Sequence, residues 1–182
     1  FEYDKLQFKN DSASYKQFEA KKIIFCDGYK ASDNPYFPKG VFKLTKGELL
    51  IVRIKNLPEE RIINKGVFIL PIGNNIFKVG ATYEWNEINE LPSEKGKNEL
   101  IAKFEKIISS PYEILEHKAG IRPTINDRRP VIGAHPVQPQ IAFLNGMGTK
   151  GVMLAPHYSD VLIESLETGK PIEGEVDIKR FF

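Results

Sequence analysis

Three glycines and one arginine are the residues of this chain whose types and spacing point most directly to chemistry. Gly146, Gly148 and Gly151 form a G-x-G-x-x-G between the apolar run 141–144 and a segment of helical periodicity from Val152 to Leu166. That is the layout of a dinucleotide fingerprint, in which a glycine turn brings backbone close to a pyrophosphate at a helix N-terminus. A complete fingerprint needs a second strand after the helix, ending in an acidic residue about 20 residues on. Here Thr168-Gly169-Lys170-Pro171 stops the helix, and the eleven residues after Pro171 are interrupted by Gly174. The βαβ unit cannot be completed, so the pyrophosphate reading fails on length. The helix start keeps its physics, because exposed backbone N–H groups and about half a positive charge favour an anion or electron-rich group there. Lys150 adds a full charge beside it. A plain glycine-rich turn packed on a sheet is the other reading.

Arg122 stands between Ile121 and Pro123 at the end of a run that reads as extended. The ordinary role of such an arginine is a surface salt bridge. Fixed in place, it could instead hold a carboxylate bidentately, through charge-assisted hydrogen bonds of about 1.5–3 kcal/mol each. Gly28 follows the apolar run 23–26 and would let the backbone approach something closely, or simply turn after a core strand. Tyr83 and Trp85 close an expected strand, where they could wall a pocket or pack as core or rim. Asp127-Arg128-Arg129 reads as a charged turn. His117, His135, His157 and Cys26 have no metal-site spacing, and no Ser-His-Asp or Cys-His arrangement can be argued.

These residues must be positioned by a mixed α+β or α/β fold. Residues 1–27 read as a β-meander that begins inside a strand, followed by a run apolar on both faces (23–26) that suits a strand buried in a parallel sheet. A loop rich in turn formers covers 29–40. Strands are expected over 48–54, 66–72 and 76–83, the last two joined at Gly73-Asn74-Asn75 by residues that tolerate positive φ. Leu100, Ile101, Phe104, Ile107 and Ile108 mark an amphipathic helix over 93–109, with interleaved Lys and Glu as its solvated face. Tyr112 to Ile121 reads as extended. An antiparallel sheet with a flanking helix (41–119) thus interrupts a second lobe built from 1–40 and 120–182. Over 182 residues, 41% apolar, the chain can bury a core, and a net charge of +2 implies no strong nucleic-acid or membrane field. No apolar run approaches 18 residues and no signal-peptide pattern is present, so the expectation is a soluble cytoplasmic protein. The start at Phe1 is read as that of the C-terminal part of a longer protein.

The ordered set Ala119-Gly120-Ile121-Arg122-Pro123-Thr124, Asp127, Pro130-Val131-Ile132-Gly133 and 146–156 resembles the D-amino-acid oxidase and glycine oxidase family of FAD-dependent oxidoreductases. Ile23 to Gly28, Lys46-Gly47-Glu48-Leu49-Leu50, Leu70-Pro71 and Val79-Gly80-Ala81-Thr82 agree with it in order and spacing. The resemblance implies a substrate-binding lobe and the C-terminal portion of a Rossmann-like FAD lobe, without the N-terminal G-x-G-x-x-G unit. It implies that Arg122 binds a substrate carboxylate and that Phe68 and Tyr83 line the substrate pocket. Gly28, Gly146, Gly148, Lys150, Gly151 and Val152 would be neighbours of a non-covalent FAD. The implied reaction oxidises a C–N bond of a small amine or amino acid by hydride transfer to the flavin, followed by imine hydrolysis. Phe68 stands where glycine oxidase-like members carry tyrosine, and Thr149-Lys150 is closer to the FAD domain of the bifunctional tRNA wobble-uridine modification protein. That branch is the circumstance in which a nucleic acid partner would be expected. A non-catalytic binding or structural module on the same scaffold is the competing class. The 182-residue piece alone is expected to be inactive and not to bind FAD.

Overall fold

The computed structural model describes residues 1–182, which form two compact units, residues 1–44 with 123–182 and residues 45–122. In chain order the strands are β1 (Leu6–Phe8), β2 (Ala13–Tyr15), β3 (Phe18–Ala20), β4 (Ile23–Phe25), β5 (Thr45–Ile54), β6 (Ile63–Lys65), β7 (Val67–Gly73) and β8 (Ile76–Gly80). Helix α1 (Glu94–Phe104), strands β9 (Tyr112–Arg122), β10 (Val131–Ala134) and β11 (Ile141–Asn145), and helix α2 (Gly151–Thr168) complete it. The fold is mixed α/β, with antiparallel sheets and two helices.

The 45–122 unit is one five-stranded antiparallel sheet in the order β6-β7-β8-β5-β9. Between β8 and β9 runs β5, where period-two alternation sends Leu50, Val52 and Ile54 to one face. There they pack with Val67, Ile69, Phe77 and Val79 against Leu100 and Phe104 of α1. The hairpin between β7 and β8 turns through Gly73, Asn74 and Asn75, with φ of 92°, 57° and 58°. Positive φ at consecutive turn residues matches the right-handed twist of the strands it joins, as the composition of the turn predicts. The third expected strand is shorter than its apolar pattern: the ladder ends at Gly80. Beyond it Thr82 N donates to Glu48 O, and Lys46 and Glu84 exchange backbone bonds. Helix α1 also stops early, at Phe104, because the chain turns there and Ile107 and Ile108 N–H both return to Phe104 O.

In the other unit β1, β2 and β3 form the meander, and a second sheet runs β10-β11-β4. The parallel pairing expected of the Ile23 run is present, Ile23 opposite Ile141 and Phe25 opposite Phe143. Within this chain β4 pairs on one side only, with β11; Phe25 is buried, Ile24 is 37% exposed and Cys26 is exposed. The chain start is no strand. Residues Tyr3–Lys5 make a 3-10 turn with Lys5 N donating to Glu2 O, while the Phe1 ring stacks on Tyr15 and meets Phe25 edge-on. The core collects Leu6, Phe25, Phe37, Ile125, Val131, Ile141 and Phe143. Helix α2 packs on β10 and β11 and ends at Gly169, whose φ of 76° is the left-handed cap that the Gly-x-Pro stop predicts.

Candidate functional site

Arg122 is the last residue of β9 and of the 45–122 unit. The sheet register puts it opposite Thr45, and its side chain reaches along β5. Nη1 donates to Lys46 O at 3.3 Å, Nη2 to Thr82 O at 3.2 Å, and Cζ lies 4.6 Å from the centre of the Tyr83 ring. Half-burial pushes the guanidinium pKa down and the nearby Tyr83 partly opposes this, but an arginine stays charged at any physiological pH. No carboxylate of the protein pairs with it: its partners are two carbonyls and an aromatic face. Tyr83 is itself half exposed and stacks on Trp85, with ring centroids 5.9 Å apart.

Phe68 shares a face of the sheet with Arg122. Alternation on β5 sends Thr45, Gly47 and Leu49 away from α1, and pairing places Phe68, Gly80 and Leu49 in one cross-strand row. The Phe68 ring covers Gly80, where a Cβ would sit 2.9 Å from Cζ. Of the three residues that the resemblance assigns to substrate, Arg122 lies against Tyr83, while Phe68 is on the Arg122 face but over Gly80, on a strand two away from β5.

On the opposite, α1-facing side lies a buried ionic cluster that periodicity could have flagged. Lys46 and Glu48 occupy the same alternating positions as Leu50, Val52 and Ile54, and they are only 2% and 3% exposed. Glu48 accepts from Ser93 N at 2.9 Å and Ser93 Oγ at 2.8 Å, with Lys46 Nζ at 3.5 Å. His117 Nε2 is 2.8 Å from Glu48 Oε2, although its direction is poor for a hydrogen bond. Burial tends to raise the Glu48 pKa, but the Ser93 donors and the Lys46 and His117 charges outweigh it and hold the carboxyl below its ordinary range. Lys46 Nζ also donates to Asn89 Oδ1 at 3.0 Å. A cleft of about 180 Å³ opens over Lys46, Glu48 and Ser93 and extends to Thr82 and Tyr83; Arg122 and Phe68 do not line it. Glu84 fixes the segment after Tyr83: the Asn86 N–H, Lys95 Nζ and the Trp85 N–H hold its carboxyl down at about 2.

In the other unit the glycine run follows β11. Asn145, 4% exposed and missed by motif reading, ties two candidate glycines together. Its Nδ2 donates to Gly28 O at 2.9 Å and Asp27 Oδ1 at 3.1 Å, and its Oδ1 accepts from Gly146 N at 2.7 Å. Gly28, Gly146 and Gly148 have φ of 60°, 75° and 52°. The run leads into α2 with no side-chain cap, so first-turn N–H groups lack a side-chain acceptor, and Lys150 is exposed beside them. Val152 and Met153 there are 98% and 68% exposed, apolar side chains on an N-terminal turn. These features fit the electron-rich edge of a flat heteroaromatic ring such as a flavin. After α2 the chain makes one parallel bridge, Asp177 with Ile132, and a 3-10 turn at Ile178–Phe181. No group of three His, Cys, Asp or Glu comes together to hold a metal, and no helix is long and apolar enough to cross a membrane.

The glycines differ in what they would tolerate. A Cβ at Gly146 would lie 2.6 Å from Ile125 Cγ1 and 3.2 Å from Val131 N, in addition to its positive φ. Gly146→Ala is expected to destabilise its unit by roughly 2–4 kcal/mol, backbone strain plus overpacking. Gly28→Ala meets nothing within 4 Å and should cost about 1 kcal/mol, for φ alone. Denaturant midpoints of the two variants compare them directly.

A family model described as FAD dependent oxidoreductase matches residues 6–165. Glycine oxidase of Bacillus licheniformis is 31% identical over 74% of this chain and 37% of its own length. The tRNA 5-methylaminomethyl-2-thiouridine biosynthesis bifunctional protein of Thiobacillus denitrificans is 25% identical over 93% of this chain and 29% of its own. The crystal structure of L-proline dehydrogenase from P. horikoshii superposes with a TM-score of 0.79 at 18% identity, over 97% of this chain and 52% of that one. The chain therefore spans about a third of the curated relatives' length and about half of the solved chain.

Proposed function

The chain belongs to the FAD dependent oxidoreductase family, and on that premise we propose that the full-length protein oxidises the C–N bond of a small, carboxylate-bearing amine. The observation that carries the reading is Arg122, a half-buried cation fixed by two carbonyls and an aromatic ring, with no carboxylate of its own. Its unused N–H donors form the planar fork that binds a carboxylate bidentately. Tyr83 would cover the bound anion's cation, and Phe68 would give an apolar wall without a hydroxyl to donate. The residues 45–122 serve in this reading as the substrate lobe, and 1–44 with 123–182 as part of the FAD lobe.

FAD, when bound, supplies the acceptor for the hydride lost from the substrate α-carbon. The part this chain plays is positional and electrostatic. Arg122 orients the substrate through its carboxylate. The uncapped start of α2, with Gly148, Lys150, Gly151 and Val152 around it, favours negative charge on a neighbouring ring. Gly28 and Gly146, joined through Asn145, shape the backbone behind that turn.

The test is anaerobic mixing of the FAD-loaded full-length protein with glycine, N-methylglycine and D-alanine. Loss of the oxidised flavin absorbance with at least one is expected. A protein that purifies without flavin, or stays yellow with every amine tried, would favour a non-catalytic module. A second reading, the FAD domain of a tRNA-modifying protein, draws on the match to the Thiobacillus protein across 93% of this chain. Bleaching by modified tRNA but not by free amino acids would select it.

A further inference from the structure

We infer that Gly47 is a positioning residue, the seat on which the Arg122 guanidinium lies; the inference rests on the carboxylate-binding reading of Arg122. Gly47 is the third residue of β5, a strand paired on both sides, where a glycine contributes no packing and weakens the strand. Its backbone gives no reason for glycine, because its φ is not in the left-handed region. Space gives the reason. A Cβ at Gly47 would fall within the Arg122 guanidinium itself, with Nη2, Cζ and Nη1 as its three nearest atoms. The missing side chain lets the guanidinium lie flat on the strand, where Lys46 O and Thr82 O are both in reach of its two terminal nitrogens. Across the ladder Gly47 is opposite Gly120, where a Cβ would meet nothing within 4 Å, so close approach is specific to position 47.

The atoms a Cβ would displace are the far end of a flexible side chain, not backbone. Gly47→Ala should therefore leave the fold intact, expel the guanidinium from its carbonyl clamp and spoil the orientation of its fork.

In the full-length protein, Gly47→Ala, Arg122→Ala and the double variant are compared with the parent. The readouts are acetate binding by calorimetry, as a carboxylate probe, and steady-state oxidation of N-methylglycine. Gly47→Ala is expected to melt with the parent, bind acetate roughly 10–100-fold more weakly, the loss of about one charge-assisted hydrogen bond, and raise KM more than it lowers kcat. Added to Arg122→Ala it should change nothing further, because Gly47 acts only through that side chain. Parent-like acetate affinity in Gly47→Ala with loss in Arg122→Ala overturns the seat and leaves the carboxylate reading standing. A parent that does not bind acetate, or no loss in either variant, overturns the carboxylate reading beneath it. Additive losses in the double variant, or a Gly47→Ala protein that fails to fold, overturn the seat, since either means that Gly47 has a role apart from Arg122.

Discussion

Replacing Arg122 with alanine in the full-length protein is expected to raise KM for a carboxylate-bearing amine by roughly 100-fold or more while FAD remains bound. Two charge-assisted hydrogen bonds to a carboxylate are worth about 1.5–3 kcal/mol each, and a methyl group replaces neither. The fold should tolerate the change. The bonds lost within the protein are those to Lys46 O and Thr82 O, both long, and water can take their place. Arg122→Lys separates charge from geometry, since it keeps the cation but not the planar fork, and should fall between parent and alanine. An amine without a carboxylate should be oxidised equally by parent and Arg122→Ala. Steady-state kinetics on both substrate types check this, and an unchanged KM for the carboxylate-bearing one would remove Arg122 from the substrate's binding.

Glu48→Ala is expected to destabilise the 45–122 unit by about 3–5 kcal/mol, the effect of breaking a buried ion pair by removing one partner. It leaves the Lys46 ammonium, 2% exposed, with only Asn89 Oδ1 as acceptor. It also strips Ser93 N and Oγ of their acceptor at the N-cap of α1, where Ser93 Oγ in turn accepts from Gly96 N at 3.0 Å. The same cluster sets a pH dependence. Because the folded carboxyl titrates below its ordinary value of 4.5, the unfolded state binds the proton first as pH falls. The stabilisation is complete above about 4.5 and is lost as pH drops from there through the folded pKa. Trp85, the one tryptophan of this chain, lies in the 45–122 unit and reports its unfolding in urea. The urea midpoint of the parent should fall between neutral pH and pH below 4.5 by more than that of Glu48→Gln. Parallel pH profiles would show that Glu48 does not carry the effect.

Local chemistry was the readable part of the fold. The Gly73-Asn74-Asn75 turn, the Ser93 start of α1 and the Gly169 stop are each decided by a few adjacent residues, and each stands where the pattern places it. The misses came where partners are distant in the chain. An apolar run cannot name its neighbours: within this chain Ile23–Phe25 pairs only with β11, more than 110 residues on. Apolar and aromatic alternation carried the expected β8 to Tyr83, while the ladder stops at Gly80.

Glycine run, arginine and helix start could all be picked out as residues by type and spacing, because such signals are short-range. Which of them has a built environment was decided only in three dimensions. Arg122 becomes a fixed fork because the register of β5 with β9 delivers Gly47 and Lys46 O beneath it, and the bonding of 82–84 to β5 delivers Thr82 O, from positions 40 to 76 residues away. Gly28 and Gly146 are joined by Asn145 for the same reason, since the parallel pairing of β4 with β11 brings together residues 117 apart. Sequence by itself determined the residue types and the local turns, because these depend on neighbouring side chains and φ preferences. Tertiary structure alone decided which charges are paired, seated or left open, because that depends on the register and burial of strands distant in the chain.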